Sequence, residues 1–297
     1  MDDLDRALVG LRPRLGEVTA GPVPLTGGIT NRNYRVRFED RDCVVRLPGK
    51  RTSLLGISRE AERIATRVGA ELGISPHLVA GDELSLVTEY LEADVSDAAT
   101  IRSAPEAVAS ALRRFHDSGA RLPIEFWVPR LLDEYAEVVM ARGGQLPPGY
   151  DEARELAGQI ADRLPLEHPV PCHNDLLPAN VLRARDGRVI LVDWEYAGMG
   201  HRLFDLGNLA AGAELGTAEE LRLLAAYLER EPGPGDHAGL RLMRIMSDAR
   251  EAAWGVVQRV ISDLDFDFDE YAGAHFQRLR AAAEDPRLEE WLDAATT

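Results

Sequence analysis

The sequence predicts an α+β fold with a small β-rich N-terminal lobe at residues 1–91 and a larger, mainly helical C-terminal lobe at residues 92–297. Three observations lead to this prediction. Strand-like alternation with a single helical pattern fills the first part, helical periodicity dominates the rest, and the character of the sequence changes after Leu91. A chain of 297 residues is long enough for two modest lobes with a sizeable buried core.

The N-terminal lobe begins with a hairpin pattern. Residues 33–38 and 43–47 alternate between apolar and polar side chains on either side of the polar turn 39–42. Residues 58–72 then carry apolar side chains at helical spacing, with Ser58 as the expected N-cap. Two further short strands complete the predicted lobe, at residues 77–80 and 84–90.

The C-terminal lobe consists of helical patterns that one hairpin interrupts. This hairpin pairs residues 181–183 with 189–192 around Asp186-Gly187, a dipeptide typical of tight hairpin turns. Residues 92–99 form the expected connection between the lobes. Six helices are predicted from apolar periodicity, at residues 107–116, 131–141, 151–163, 218–230, 237–263 and 271–283.

The composition excludes several classes of protein. Asp and Glu number 50 against 34 Lys and Arg, a formal charge of −16, and such an acidic field argues against nucleic-acid binding. Cys43 and Cys172 are far apart and lack a C-x-x-C pattern, so neither a disulfide framework nor a zinc site is indicated. The first residues lack the features of a signal peptide, and no apolar run reaches 18 residues. We therefore expect a cytoplasmic protein with no membrane span.

One sequence motif indicates the chemistry of the protein. It is His173-x-Asp175-x-x-x-x-Asn180, followed thirteen residues later by Asp193. The predicted hairpin folds the chain back, so Asn180 and Asp193 are expected at the same end of it. Their oxygen atoms are hard ligands that suit Mg²⁺. The spacing matches phosphoryl-transfer enzymes, in which one carboxylate aligns the attacking hydroxyl and the others hold the metal of ATP. Taken alone, Asp175 or Asp193 would be interpreted as a turn residue. The joint spacing argues against that interpretation, and so does the position of Asp193 directly after the apolar run 189–192, where an unpaired carboxylate would be costly.

A glycine pair is the candidate for holding the phosphates. Gly27, Gly28, Thr30 and Asn31 belong to the segment Gly-Gly-Ile-Thr-Asn that precedes the first hairpin. Glycines let backbone N–H groups approach a phosphate closely, and the position ahead of the hairpin favours this role over a plain turn.

A cation is also expected on the phosphates. Lys50, the only lysine, follows Pro-Gly and cannot lie within a strand, whereas Arg46 lies on the predicted strand 43–47. Glu62 is the expected partner from the following helix, and Glu60 is the competing candidate. A solvent-facing strand arginine is the alternative interpretation of Arg46.

Together these residues resemble the choline/ethanolamine kinase family, within the wider group that includes the aminoglycoside phosphotransferases. The resemblance extends over residues 25–279 and implies a bilobal protein-kinase-like fold that binds ATP and Mg²⁺ between its lobes. The catalytic loop and Asp193-Trp194-Glu195-Tyr196 are its most specific segments. Further matching segments are Thr88-Glu89-Tyr90, Leu112-Arg113-Arg114-Phe115-His116, Phe204-Asp205-Leu206-Gly207-Asn208 and Trp254-Gly255 to Gln258.

The resemblance implies three sets of site residues. The catalytic set is the base Asp175 with His173, which we expect to support the loop through hydrogen bonds rather than act as an acid or base. The metal and nucleotide set is Asn180 and Asp193 for Mg²⁺, Arg46 and Glu62 for the phosphates, and Glu89, Tyr90 and Leu91 for adenine. The acceptor set is Glu195, Trp254, Gln258 and Tyr271. Its two aromatic residues match positions of a box that binds a quaternary ammonium group by cation–π attraction.

The acceptor region departs from the family pattern. Val257 stands where a second tryptophan is expected, and Gly212, with Glu214 nearby, stands where an acid is expected. Choline, ethanolamine and related amino alcohols therefore all stay open as acceptors. The acidic run 263–270 reads either as a field that attracts a cationic substrate or as a solvated loop.

Two other functions stay open at this point. An aminoglycoside- or macrolide-type antibiotic phosphotransferase would also use an acidic cleft, because its substrates are cationic. A nucleotide-binding pseudokinase would share the fold, although such proteins typically lack a base or a metal ligand, all of which are present here. The expected partner is a small-molecule substrate, and a homodimer is compatible with the sequence.

Overall fold

The computed structural model describes residues 2–25, 31–82 and 84–295. Its N-terminal part is an antiparallel sheet in the order β1-β2-β3-β5-β4. The predicted hairpin is confirmed as β2 and β3, in which Asn33 lies opposite Arg46. The strands are β1 (Val18–Leu25), β2 (Arg32–Phe38), β3 (Arg41–Leu47), β4 (Leu78–Gly81) and β5 (Leu86–Glu89).

Two helices accompany this sheet. Helix α2 (Arg59–Glu71) confirms the predicted helix, and the Ser58 hydroxyl accepts a hydrogen bond from the backbone N–H of Ala61 at 3.2 Å. Helix α1 (Asp3–Leu15) was not predicted; Asp2 and Asp5 form its capping box.

The C-terminal part is mainly helical, as predicted. All six predicted helices are present, and α3, α7 and α11 are additional. The helices are α3 (Ala98–Ser103), α4 (Pro105–His116), α5 (Val128–Ala141), α6 (Tyr150–Arg163), α7 (Arg202–Gly212), α8 (Thr217–Leu228), α9 (Pro234–Ile261), α10 (Phe268–Ala283) and α11 (Leu288–Ala294). The longest, α9, is buried along most of its length and packs against α5, α7 and α10.

Short strands within the helical part carry the catalytic segments. A three-stranded sheet has the order β6-β8-β9, and β7 pairs with β10. The predicted hairpin is confirmed as β8 and β9, with Gly187 at a positive φ of 85° in its turn. The strands are β6 (Ala93–Val95), β7 (Val170–Cys172), β8 (Val181–Ala184), β9 (Val189–Leu191) and β10 (Gly198–Gly200).

Trp194 joins the two parts of the molecule. Its indole N–H donates to the Ser75 hydroxyl at 3.1 Å, and its ring packs against Gly69 of α2. A Cβ atom on Gly69 would lie 3.2 Å from this ring and 2.8 Å from Ser75, so the contact requires glycine. The packing fixes the neighbouring Asp193 beside the N-terminal sheet. Across the described residues, we find no helix with the length and apolar character that crossing a bilayer would require. The lobe boundary after residue 91 stays a prediction.

Candidate active site

A buried carboxylate anchors the predicted catalytic loop, which lies between β7 and β8. Asp205, near the start of α7, accepts hydrogen bonds from the backbone N–H groups of His173 at 2.8 Å and Asn174 at 2.7 Å. Asn174 has a positive φ of 63°, so these bonds hold a backbone conformation that few residues adopt. His116 Nε2 lies 3.0 Å from the same carboxylate. Burial alone would raise the pKa of Asp205, but these contacts hold that pKa below its usual range.

His173 supports the loop from inside. Its Nε2 lies 2.9 Å from the backbone oxygen of Val192, and its Nδ1 accepts a hydrogen bond from the backbone N–H of Asp175 at 3.3 Å. The ring stacks on Trp194 with centroids 4.6 Å apart. Burial lowers the pKa of His173, which favours the neutral imidazole that this pair of contacts requires. The geometry is that of a structural support.

Asp175 lies between two side chains that hold its carboxylate. Arg250 Nη1 donates to Oδ1 at 3.1 Å, and the Asn180 amide donates to the backbone oxygen at 2.8 Å and toward Oδ2 at 3.4 Å. Burial raises the pKa of Asp175 to about 8, against the lowering effect of Arg250 and with a further increase from Glu251. A carboxylate with a pKa near neutrality is well matched to proton transfer.

Asn180 and Asp193 come together at the base of the β8–β9 hairpin, as predicted. The backbone N–H of Val192 donates to the Asn180 backbone oxygen at 3.0 Å, and both predicted ligands line one cavity. Asp193 has a positive φ of 64°, an unusual conformation outside glycine. Because the Asn180 amide nitrogen faces Asp175, its side-chain oxygen is the atom that can coordinate a cation. An amide oxygen and a carboxylate fit Mg²⁺ by their chemistry.

Arg46 connects the N-terminal sheet to Asp193. It forms ion pairs with Glu62 and with Asp193, and Asn31 donates to the same Asp193 oxygen at 3.4 Å. Glu62 is 1% exposed, whereas Glu60 is exposed and does not take part. Thus the structure pairs Arg46 with the expected glutamate. Of the glycine segment, Gly27, Gly28 and Thr30 lie outside the described residues.

A cavity of about 330 Å³ opens between the sheet and the hairpin. Glu89, Tyr90 and Leu91 line it together with Asn180 and Asp193. Its apolar lining comes from both parts of the molecule, namely Val44, Leu86, Leu182 and Val192. The volume and the apolar lining with few polar groups are typical of small-ligand sites.

Glu195 lies next to Arg59, the first residue of α2. It is 2% exposed, and its Oε2 lies 3.5 Å from Arg59 Nη1. Burial, together with the charge of Asp193, raises the pKa of Glu195. A role in acceptor binding stays a prediction.

The aromatic acceptor candidates lie together between α9, which carries Trp254, and α10, which carries Tyr271. Trp254 and Tyr271 have ring centroids 5.4 Å apart, and the Trp254 indole N–H donates to the Tyr196 hydroxyl at 2.9 Å. Trp254 is only 6% exposed, and Gln258, one helical turn further along α9, is also buried. The structure thus brings the two rings together inside the core, and binding of a substrate by their faces stays a prediction.

A network that the sequence did not predict joins these rings to Asp175. Arg250 Nη1 donates to Glu251 Oε1 at 2.6 Å as well as to Asp175, and the Tyr271 hydroxyl donates to Glu251 Oε2 at 2.7 Å. The guanidinium of Arg250 lies 4.3 Å above the ring of Tyr196. The available signal was an Arg-Glu pair on the apolar face of a long helix, where buried charges need partners.

The structure shows what surrounds two residues that depart from the family pattern, Val257 and Gly212. Val257 is fully buried in the core. A Cβ atom on Gly212 would lie 3.1 Å from Pro178 and 3.3 Å from Leu177, so the catalytic loop occupies the space that an acidic side chain would need. Glycine is therefore the residue that this close approach accommodates.

The acidic run makes several structural contacts. Asp263 pairs with Lys50 at 3.1 Å and with Arg51 at 3.3 Å. Asp267 caps α10, which begins at Phe268, so the end of the run is helical. Asp269 pairs with Arg259 at 2.8 Å. These contacts give the run a structural role, and attraction of a cationic substrate stays a prediction.

Comparisons with known proteins place this geometry in a family. A profile described as the phosphotransferase enzyme family matches residues 22–242. The chain is 28% identical over 285 residues to ethanolamine kinase 2 of Mus musculus, covering 84% of this chain and 73% of that protein.

Solved structures agree with this placement. A choline/ethanolamine kinase family protein from Mesorhizobium loti superposes with a TM-score of 0.83 at 30% identity, over 99% of both chains. A structure of LicA in complex with AMP superposes with a TM-score of 0.79 at 25% identity, over 97% of this chain and 98% of that one. These matches show a kinase-like fold. The chain belongs to the phosphotransferase enzyme family and, within it, to the choline/ethanolamine kinase family.

Proposed function

We propose that this phosphotransferase moves the γ-phosphate of ATP to the hydroxyl of choline, ethanolamine or a related amino alcohol. One observation carries the proposal: Asn180 touches the candidate base Asp175 and, with Asp193, lines the cavity whose far side is formed by Glu89 to Leu91. A base, two metal-ligand candidates and a nucleotide-sized space therefore meet at one place. The similarity to an ethanolamine kinase, to a choline/ethanolamine kinase family protein and to LicA in complex with AMP supports an amino alcohol as acceptor and a nucleotide as donor.

The nucleotide would lie in the cavity of about 330 Å³. Glu89, Tyr90 and Leu91 would face the adenine. The sequence motif makes Gly27, Gly28, Thr30 and Asn31 the proposed phosphate-binding residues. Arg46, held by Glu62, would contact the phosphates as a fixed positive charge.

Asn180 and Asp193 would hold Mg²⁺, which, when bound, would neutralise charge on the triphosphate. Asp175 would accept a hydrogen bond from the acceptor hydroxyl, align its oxygen and take its proton as the new phosphate ester forms, while the bond from the γ-phosphorus to the bridging oxygen breaks and ADP leaves. His173 and Asp205 would hold the loop in place during this step, because Asp205 accepts from the backbone N–H groups of His173 and Asn174 and the His173 ring accepts from that of Asp175. The protein contribution is mainly positioning and electrostatics.

The acceptor would lie on the α9 side of Asp175, near Glu195, Trp254, Gln258 and Tyr271. A trimethylammonium group has no N–H to donate and depends on ring faces, whereas a primary ammonium group can also hydrogen-bond to carboxylates. Both kinds of amino alcohol therefore belong in the test.

A substrate panel with coupled detection of ADP tests the proposal. The purified protein is given ATP and Mg²⁺ with choline, ethanolamine, N-methylated ethanolamines, an aminoglycoside, a macrolide or spectinomycin, and Asp175→Asn is the matched control. We expect turnover with an amino alcohol and none in the control. Turnover with an antibiotic and with none of the amino alcohols would show that the acceptor is an antibiotic instead. ATP binding by calorimetry without turnover on any alcohol would favour a nucleotide-binding module.

A further inference from the structure

Arg250 is a buried charge in the middle of α9, with 2% of its surface exposed. Arginine is rarely found in such a position unless it is paired. Its guanidinium meets three different groups: the Asp175 carboxylate, the Glu251 carboxylate and the ring of Tyr196.

Contacts with Glu251 and Tyr196 fix the orientation of the guanidinium that binds Asp175. Glu251 accepts from Nη1 at 2.6 Å and is itself held by the Tyr271 hydroxyl at 2.7 Å. Tyr196 supports one face of the group at 4.3 Å, an arrangement that cation–π attraction favours. Tyr271 and Glu251 thus orient Arg250, and Arg250 in turn contacts the carboxylate.

Arg250 determines which carboxylate oxygen faces which way. It binds Oδ1 of Asp175 at 3.1 Å from the α9 side, whereas Oδ2 lies toward Asn180, which lines the nucleotide cavity. A carboxylate held at one oxygen has little rotational freedom about its last bond. The second oxygen thereby lies toward Asn180 and the cavity that Asn180 lines.

A purely structural role explains Arg250 less well. Its Nε and Nη2 atoms are buried and have no hydrogen-bond partner within residues 2–25, 31–82 and 84–295. Leaving buried donors unpaired destabilises a fold, and apolar residues of similar volume often replace buried ion pairs without loss of stability. The position therefore fits a residue that serves the site.

Resting on the proposed function, we propose that Arg250 is a positioning residue for phosphoryl transfer, which holds the Asp175 carboxylate in its reactive orientation and is itself oriented by Glu251 and Tyr271. The acceptor hydroxyl then meets a preset Oδ2 rather than a freely rotating group.

The charged and titratable groups around Asp175 come from several elements. They are Arg250 and Glu251 on α9, Asp193 and Glu195 after β9, His173 on the same loop, Tyr135 on α5, Tyr196 before β10 and Tyr271 on α10. Among them Arg250 is the one permanently cationic side chain, so it can hold the Asp175 carboxylate by charge as well as by a hydrogen bond.

Steady-state kinetics test the proposal with the full-length Arg250→Gln and Arg250→Lys variants. We expect Arg250→Gln to lower kcat by roughly 100-fold, with the KM for ATP changed less than about threefold. Arg250→Lys should recover part of kcat. The matched control Arg280→Gln, an exposed arginine on α10, should behave as the wild type.

Crystal structures of the wild type and of Arg250→Gln give a readout that needs no acceptor. Without the guanidinium, the Asp175 carboxylate should turn about its Cβ–Cγ bond or show more than one orientation. An unchanged orientation or an unchanged kcat would overturn the proposal, as would a loss of kcat that follows thermal unfolding alone. Wild-type protein that phosphorylates no acceptor would overturn the proposed function, and the comparison of the Asp175 orientations would still decide the role of Arg250.

Discussion

The side-chain amide of Asn180 donates a hydrogen bond to the backbone oxygen of Asp175 at 2.8 Å. This bond ties a candidate metal ligand to the candidate base within a single loop. The two residues therefore move as a unit, and displacement of one changes the position of the other. The loop as a whole is fixed from behind by Asp205, which binds the backbone of His173 and Asn174.

Removing either carboxylate should abolish turnover without unfolding the protein. We expect Asp175→Asn and Asp193→Asn each to reduce kcat by about 10³-fold or more, because the first loses proton transfer and alignment and the second loses a metal ligand. ADP release and thermal unfolding, measured side by side, check this. Full activity in Asp193→Asn would remove its assignment as a ligand.

The pH dependence should follow the ionisation of Asp175. Burial raises the pKa of this group to about 8, and only the carboxylate form accepts a proton, so kcat/KM should rise with pH between about 7 and 9. The free enzyme is the relevant state for kcat/KM, which makes this ratio the quantity to measure. A flat profile through this range would argue against Asp175 as the base.

Loss of the buried anchor should cost both stability and activity. Asp205→Asn leaves the backbone N–H groups of the loop and His116 with a weaker acceptor, so we expect the free energy of unfolding to fall by about 3 kcal/mol. Urea unfolding measures the change, with exposed Asp162→Asn of α6 as the control, expected within about 0.5 kcal/mol. Equal stability of the two variants would show that the anchor is dispensable.

The contact between Gly69 and Trp194 should tolerate no side chain. A Cβ atom at residue 69 would meet Ser75 at 2.8 Å and the Trp194 ring at 3.2 Å, so Gly69→Ala should destabilise the protein by about 1–3 kcal/mol. It should also lower kcat, since Trp194 positions Asp193. The matched control is Gly158→Ala in α6, where a Cβ meets no neighbouring atom and helix propensity predicts a gain of about 0.5–1 kcal/mol. Identical effects of the two changes would contradict this role of the contact.

Local patterns predicted the elements that carry the site. The hairpin β8–β9 followed from Asp186-Gly187 between apolar runs, and α2 from its Ser58 cap and apolar spacing. The missed strand β1 contains Gly and Pro and lies mostly exposed, so it lacks the alternation that marks a strand. Its pairing with β2, a tertiary contact, makes it a strand.

Contacts between distant parts of the chain were out of reach of sequence reasoning. The hydrogen bond that anchors the catalytic loop joins Asp205 to His173 across 32 positions in the sequence. The hydrogen bond between Arg250 and Asp175 spans 75 positions. Neither spacing corresponds to a local period, and only packing of α7 and α9 against the loop brings these atoms together. By contrast, the spacing from Asp175 to Asn180 lies within one loop, which is why it could be recognised.

Transfer of labelled phosphate from γ-³²P-ATP to an amino alcohol, followed by separation of the products, tests the central claim most directly. Wild-type protein with Mg²⁺ should place the label in a phosphomonoester of ethanolamine, choline or a close analogue, and Asp175→Asn should not. Label that appears only as inorganic phosphate, or that stays in ATP with every amino alcohol although the nucleotide binds, would contradict the account.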